Sequence, residues 1–308
     1  MTRRVVMLGV FNADTTYRAQ RLPRMGETIM GTGFALGPGG KGSNQAVAAG
    51  RLGADVRFLT RLGRDDFAEM ARAIWRGANV MPMVIEDADS HTGAALIFVE
   101  DGTRDNAIIV APGAAARMTE ADIETWGAEI DGAAVFLTGH EAPLAPVLAG
   151  LRRARAAGAA TILNPAPATP LPKDALALCD YITPNESEAE ALTGLPVASL
   201  DEARAAAARL REMGAGCVVM TLGARGVLFN DGAVSEVIPA VTAGDVVETT
   251  GAGDAFNGAF VAGLAEGRTP IEAARHGCVV AGISVTRPGA AASMPTAAEV
   301  AAFVEAQG

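Results

Sequence analysis

The stretch Glu248-Thr249-Thr250-Gly251-Ala252-Gly253-Asp254 sets an acid at the end of a glycine turn where a helix is expected to begin, an arrangement suited to phosphoryl transfer. The first amides of a helix have no intrahelical partner and carry the positive end of its dipole, so an anion settles there without a basic side chain. Asp254 beside that anion can accept a proton from an attacking hydroxyl. The same residues also suit a plain turn with Asp as a helix cap. The dinucleotide fingerprint G-x-G-x-x-G is excluded, because the glycine after Gly253 is Gly258.

A second glycine cluster is Gly37-Pro38-Gly39-Gly40-Lys41-Gly42-Ser43-Asn44-Gln45. A Walker A loop needs Ser or Thr directly after its lysine, where this chain has Gly42. Glycines in succession let backbone approach a ligand, and Lys41 and Asn44 add donors for sugar-like hydroxyls. A glycine-rich turn with a solvated lysine is the alternative. Asn12 and Asp14 follow the first expected strand, at the carboxyl end where open α/β sheets bind ligands. An Asp there can accept hydrogen bonds from neighbouring hydroxyls, or close an Asx turn. Asn185 and Glu188 have the spacing of a capping box, and equally could face a hydrated magnesium ion.

Positioning such groups requires a scaffold, and short β-type runs alternate with alanine-rich amphipathic stretches along most of the chain. Strands are expected over 5–11, 56–59, 134–137, 161–163, 181–183 and 217–222, with helices over 44–52, 65–76, 119–129, 144–157, 186–192, 200–213, 253–266, 270–285 and 297–306. This predicts an α/β fold of three layers, α/β/α, around a mostly parallel sheet. Residues 28–36 and 93–110 carry strand signals with no helix between. They predict a small β-sheet lid, from about 12–36 and 93–112, with a hairpin near Glu100-Asp101-Gly102-Thr103. Its apolar residues Ala95, Ile97, Val99, Ile108 and Val110 are expected to need cover, for which a second copy of the chain is the symmetric solution.

With 308 residues, half of them hydrophobic, the chain is expected to form one main domain over 1–308. A net charge of -10 argues against a nucleic-acid partner. Cys179, Cys217 and Cys278 are odd in number and far apart, indicating neither a disulfide framework nor a zinc site. The apolar run Val5 to Val10 is too short for a signal segment, and no run reaches membrane-spanning length. A cytoplasmic protein with no membrane partner is expected. His91 and His276 read as surface or packing residues, and Trp75 and Trp126 as core aromatics.

In combination and order, Asn12-Ala13-Asp14, Pro38 to Gln45, Asn164-Pro165-Ala166-Pro167, Thr183 to Glu188, Thr221 to Gly226, Gly251 to Gly258 and Val285-Thr286-Arg287 resemble the ribokinase family of ATP-dependent carbohydrate kinases across essentially the whole chain. The resemblance implies a sugar held by Asn12, Asp14, Gly40, Lys41, Gly42, Asn44 and Glu141. It implies ATP along Asn185, Thr221, Gly223, Gly226, Gly253 and Cys278, with Asp254 as base and Gly251, Ala252 and Gly253 as anion hole. Magnesium would lie near Glu188, through water, and a potassium ion near Glu248, Thr250, Ser284, Arg287, Gly289 and Ser293. The implied reaction converts a small sugar, ribose first, to its 5-phosphate in a homodimer joined through the lid. Alternatives are a sibling kinase for another sugar, sugar acid or nucleoside, such as fructose or 2-keto-3-deoxygluconate, and a silent sugar or nucleotide binder. Three residues depart from the family pattern: Glu248 stands where Asp is usual, Cys278 where Asn or His is frequent near adenine, and His140 where an apolar residue is common.

Overall fold

Successive residues of β1 (Val5–Leu8) enter different cores: Val5 and Met7 pack into one, Val6 and Leu8 into the other, as a strand covered on both faces requires. The computed structural model describes residues 3–307, so residues 1, 2 and 308 of the expected single unit lie outside it. The remaining strands are β2 (Asn12–Ala19), β3 (Gly33–Gly39), β4 (Val56–Leu62), β5 (Val80–Glu86), β6 (Ala94–Glu100), β7 (Asn106–Ala111), β8 (Val135–Gly139), β9 (Ala160–Asn164), β10 (Tyr181–Ile182), β11 (Cys217–Thr221), β12 (Val227–Asn230) and β13 (Ser235–Ile238). The helices are α1 (Lys41–Arg51), α2 (Asp66–Gly77), α3 (Glu120–Thr125), α4 (Gly127–Asp131), α5 (Leu144–Ala156), α6 (Glu186–Thr193), α7 (Leu200–Glu212), α8 (Ala252–Glu266), α9 (Pro270–Ser284) and α10 (Ala297–Gln307).

Nine strands form the main sheet in the order β13-β12-β11-β10-β9-β8-β1-β4-β5. Every neighbouring pair from β5 to β11 is parallel, and β12 runs antiparallel to both β11 and β13. On one face lie α1, α2, α8, α9 and α10, contributing Ala46, Trp75, Phe256, Ala273 and Val300 to the core. On the other lie α3 to α7, contributing Ile123, Ile130, Val147, Ala189 and Ala203. The fold is therefore the three-layer α/β/α expected. Trp75 and Trp126 are both buried.

A second sheet has the order β3-β2-β6-β7. Its outer pairs are antiparallel, whereas β2 and β6 are parallel, because the chain passes through β4 and β5 of the main sheet before returning. The register puts Asp14, Thr16, Ala95, Ile97, Ile108 and Val110 in matched rows of one face. The opposite face carries Tyr17, Phe34, Leu36, Leu96 and Ile109, all at least 40% exposed, with the Tyr17 and Phe34 rings 5.1 Å apart. The apolar set singled out from sequence therefore shares its face with Asp14; Ala95 is buried there while Ile108 and Val110 are exposed, so β7 lacks cover on both faces.

Local boundaries also differ. The first strand stops at Leu8 rather than Phe11, because the chain turns at Gly9 to enter the second sheet at Asn12. The strand expected over 28–36 lies at 33–39, and the first helix begins three residues earlier, at Lys41. The helix expected over 119–129 is interrupted at Trp126, whose backbone turns to φ -86° and ψ 9° while its indole stays in the core.

Candidate active site

The carboxyl ends of β1, β8, β9, β10 and β11 all open on one edge of the main sheet, and the chemistry-bearing residues follow them: Asn12, Glu141, Asn164, Asn185 and Thr221. Helices α1 and α8 bring in the rest. A methyl group on Gly258 would sit 2.5 Å from Cβ of Ala48 and 2.6 Å from the carbonyl oxygen of Gln45, so the absence of a side chain there lets α8 lie directly against α1. That close approach puts Asp254, in the first turn of α8, against Asn44 and Gln45. Asn44 Nδ2 donates to Asp254 Oδ2 and Gln45 Nε2 to Oδ1, each at 3.0 Å.

Gly251 is the N-cap of α8, with φ 80°, a left-handed conformation that favours glycine. The Ala252 amide donates to the carbonyl of Thr249 at 3.1 Å. Of the three expected anion-hole amides, those of Gly251 and Gly253 are thus the ones without a backbone partner among the described residues. Burial raises the pKa of Asp254, opposed by the charge of Lys41 and the amides of Asn44 and Gln45.

At the start of α1 the backbone amide of Lys41 donates to Glu141 Oε2 at 2.6 Å, so Glu141 ties this helix to the loop after β8. Burial, together with the nearby charge of Asp254, pushes Glu141 up to about 7. Asp14 is pushed up to about 6 by burial alone, no donor among the described residues meeting its carboxylate. Oδ1 of Asn12 and Oδ1 of Asn44 are buried without a partner. Asp14 and these two amide oxygens thus have no protein donor among the described residues. Asn12, Asp14, Gly40, Lys41, Gly42, Asn44 and Glu141 lie around this end.

Beside it runs a cleft of about 460 Å³ lined by Asn185, Thr221, Gly223, Gly226, Gly253 and Cys278. All six residues expected along a nucleotide are brought together. The far wall is apolar, with Val241, Ala243, Val246, Ala281 and Val285. The capping box of α6 is formed: Glu188 N donates to Asn185 Oδ1 at 2.8 Å, and Asn185 N to Glu188 Oε2 at 2.9 Å. Glu188 is buried, which raises its pKa, and its Oε1 is left for a further partner.

The late loop also meets residues 247–250. Val247 N donates to the carbonyl of Val285, and Gly289 N to Glu248 Oε2 at 2.9 Å. The Ser284 and Ser293 hydroxyls donate to Ala281 and Ala290 carbonyls, and Arg287 turns its guanidinium to Glu299 at 2.7 Å. Thr250 is exposed beside them. His140 is bonded through Nδ1 to Thr169 Oγ1 at 3.0 Å and buried, which lowers its pKa. Its ring is thus engaged with the loop after β9.

Sequence reasoning assigned no role to Gln45, Asn164, Thr183 or Asn257, yet these buried polar residues surround Asp254. Thr183 Oγ1 donates to Asn257 Oδ1 at 2.6 Å, and Asn257 Nδ2 to the Gly253 carbonyl at 2.8 Å. The available signal was their polar character inside otherwise apolar elements. No group of three or more metal-binding side chains occurs among the described residues.

The sequence pattern of the pfkB family of carbohydrate kinases matches residues 2–297. The chain is 37% identical over 306 residues to a ribokinase of Haemophilus influenzae, covering 99% of both. It is 31% identical to a deoxyribokinase of Salmonella typhimurium over 294 residues, covering 95% of both. The structure is similar to that of Arabidopsis thaliana ribokinase complexed with ribose and ATP, with a TM-score of 0.92 at 30% identity over 99% of each chain.

Proposed function

The chain belongs to the pfkB family of carbohydrate kinases, and from that premise we propose that this ATP-dependent sugar kinase phosphorylates D-ribose on its primary hydroxyl. The observation that carries the substrate class is the surplus of unmet acceptors, Asp14, Asn12 Oδ1 and Asn44 Oδ1, which a ligand rich in hydroxyl donors satisfies. Asp14, Glu141 and Asp254 face this end together with Lys41. A neutral polyol suits that balance, whereas a sugar acid would add a fourth carboxylate.

In this reading the hydroxyl oxygen attacks the γ-phosphorus, the bond from phosphorus to the β,γ-bridging oxygen breaks, ADP leaves, and the hydroxyl proton passes to Asp254. A free Asp, with pKa about 3.9, is a weak base toward an alcohol. A loose transition state makes that sufficient, since the proton becomes acidic only as bond breaking advances, and orientation supplies much of the rate. The Gly251 and Gly253 amides would receive the charge on the transferred group. Glu188 would hold magnesium through water, in keeping with the single free carboxylate oxygen there; the ion offsets the charge of the β- and γ-phosphates. A potassium ion would be served by Thr250 and by carbonyls of the 284–293 loop.

The exposed face of Tyr17, Phe34, Leu36, Leu96 and Ile109 supports a homodimer through the lid. No helix among the described residues is long and apolar enough to cross a membrane. Three free, buried cysteines fit a reducing cytoplasm. Sugar-dependent ADP formation over ribose, 2-deoxyribose, fructose, 2-keto-3-deoxygluconate and nucleosides tests the reading. The highest kcat/KM is expected with ribose; preference for 2-deoxyribose would select the sibling activity, and no ADP with any sugar would leave a binding protein.

A further inference from the structure

Behind Asp254 a chain of amides runs to the backbone. Gln45 Nε2 donates to Asp254 Oδ1 and also to Asn164 Oδ1, each at 3.0 Å, and Asn164 Nδ2 donates to the carbonyl oxygen of Thr183 at 2.9 Å. Gln45, Asn164 and Asp254 are all buried, at 2%, 6% and 6% exposure, so water does not compete for these bonds. The far end sets the direction of the chain. A carbonyl oxygen only accepts, so Asn164 must turn its NH₂ to Thr183 and its oxygen to Gln45. Gln45 must then present its NH₂, whose two hydrogens go to Asn164 and Asp254. Neither amide can flip without setting two donors or two acceptors face to face.

We infer that Gln45 and Asn164 are positioning residues for Asp254, forming a relay, anchored on the Thr183 carbonyl, that aims the carboxylate and fixes Oδ1 as an acceptor. This inference rests on the sugar-kinase reading, in which Asp254 receives the proton. A proton resting on Oδ1 would point at the hydrogen that Gln45 is compelled to offer. The relay thus works with Lys41 on α1 to hold Asp254 ready as a base, against burial and against the carboxylates of Glu141, after β8, and Glu188, on α6. Through Thr183 it also joins the second clip, in which Asn257 holds the carbonyl of Gly253. Asp254 and the turn beside it are therefore fixed to the same strand end, that of β10.

The test is Gln45→Met, close in volume but without donors, with Asn164→Leu as a second variant that leaves Gln45 in place but free to flip. Removing one hydrogen bond to a charged group predicts a fall in kcat of roughly 10–100-fold for Gln45→Met, and a smaller one for Asn164→Leu. The KM values for sugar and ATP should stay within about threefold, and the acid limb of the kcat profile should move to higher pH. Unchanged kcat and acid limb would overturn the inference, as would a loss confined to the sugar KM, which would make Gln45 a sugar ligand. A ¹³C-carboxyl titration of Asp254 in the wild type and either variant gives a readout without turnover: an upward shift supports the relay, and no shift refutes it. Absence of sugar-dependent turnover in the wild type would count against the sugar-kinase reading alone.

Discussion

At the end proposed for the sugar, Asp14 and the buried oxygens of Asn12 and Asn44 have no protein donor, and Glu141 and Asp254 add charge that burial makes costly. At the nucleotide end the cleft is walled by small and aliphatic residues, with glycines at 223, 226, 244, 253 and 282, and few polar side chains. The first end draws on two sheets and two helices. The second is built on the end of one sheet, the starts of α6 and α8 and the later half of α9. In the proposed reading, recognition at the first is by unmet acceptors, so single substitutions and pH should act strongly there. Recognition at the second would be by shape and backbone, which side-chain substitutions should hardly touch.

The sharpest attack on this comparison is at the junction of the two ends. Asp254→Asn keeps the shape and removes the base, so kcat should fall by roughly 10²–10⁴-fold, the usual share of general acid-base catalysis. Both KM values should change little. Steady-state kinetics with near-normal kcat would remove Asp254 from the reaction and leave the two ends without a common centre.

Asp14→Asn should act on one end only. Losing the charged acceptor predicts a fall of roughly 10–100-fold in kcat/KM for the sugar, with the ATP KM unaltered. Because Asp14 is raised to about 6, wild-type kcat/KM for the sugar should decline as pH falls through that value, and the variant should lose this limb. Stability runs the opposite way. A carboxyl raised in the fold contributes stability at pH below its unfolded value and loses it as pH rises through about 6. The ligand-free variant should therefore melt roughly 1–5 °C higher than wild type at pH 8 and no higher near pH 4. An ATP KM that rises as much as the sugar KM would erase the distinction between the ends.

The same contrast governs what could be read in advance. The buried strands of the main sheet were legible because Val5 to Leu8 and Cys217 to Met220 are apolar runs that a doubly covered sheet demands. β2, with the sequence NADTTYRA, offered no such signal, being stabilised by pairing with β3 and β6. Without its register, the face of Ala95 and Ile97 could not be assigned to Asp14's side. Motif residues placed by local turns, such as Asn185 and Gly253, both lining the cleft, were legible from their spacing. Gln45 and Asn164 were not, since an amide contact across 119 residues depends on how close α1 comes to the end of β9.

At the nucleotide end a smaller response is expected. Val241, Ala243, Val246, Cys278, Ala281 and Val285 provide no strong side-chain donor or acceptor for the edge of a base, and burial pushes the Cys278 thiol up to about 12, leaving it neutral. ATP and GTP should therefore differ by less than about tenfold in kcat/KM, the scale of discrimination left when no buried hydrogen bond is at stake. Cys278→Asn, which introduces an amide, should widen the preference several-fold. A wild-type preference for ATP of a hundredfold or more would mean that backbone groups read the base as stringently as Asp14 reads the sugar.

The smallest effect is expected from the cation. Glu248, one methylene longer than the usual Asp, already reaches the Gly289 amide at 2.9 Å, and Val247 and Glu248 donate to the Val285 carbonyl. The two loops that a monovalent cation would join are thus joined by the protein itself. Exchange of sodium for potassium should accordingly change kcat less than about threefold, since a ligand shifts a conformation only by its differential affinity for the two states. Glu248→Asp shortens the arm and releases Gly289, so the variant should depend more on potassium and lose roughly 1 kcal/mol of stability in its absence. Comparing melting temperatures and rates in sodium and potassium decides the matter. Strong activation of the wild type, with no further dependence in Glu248→Asp, would mean that the carboxylate serves the ion and that its bond to Gly289 yields when potassium binds.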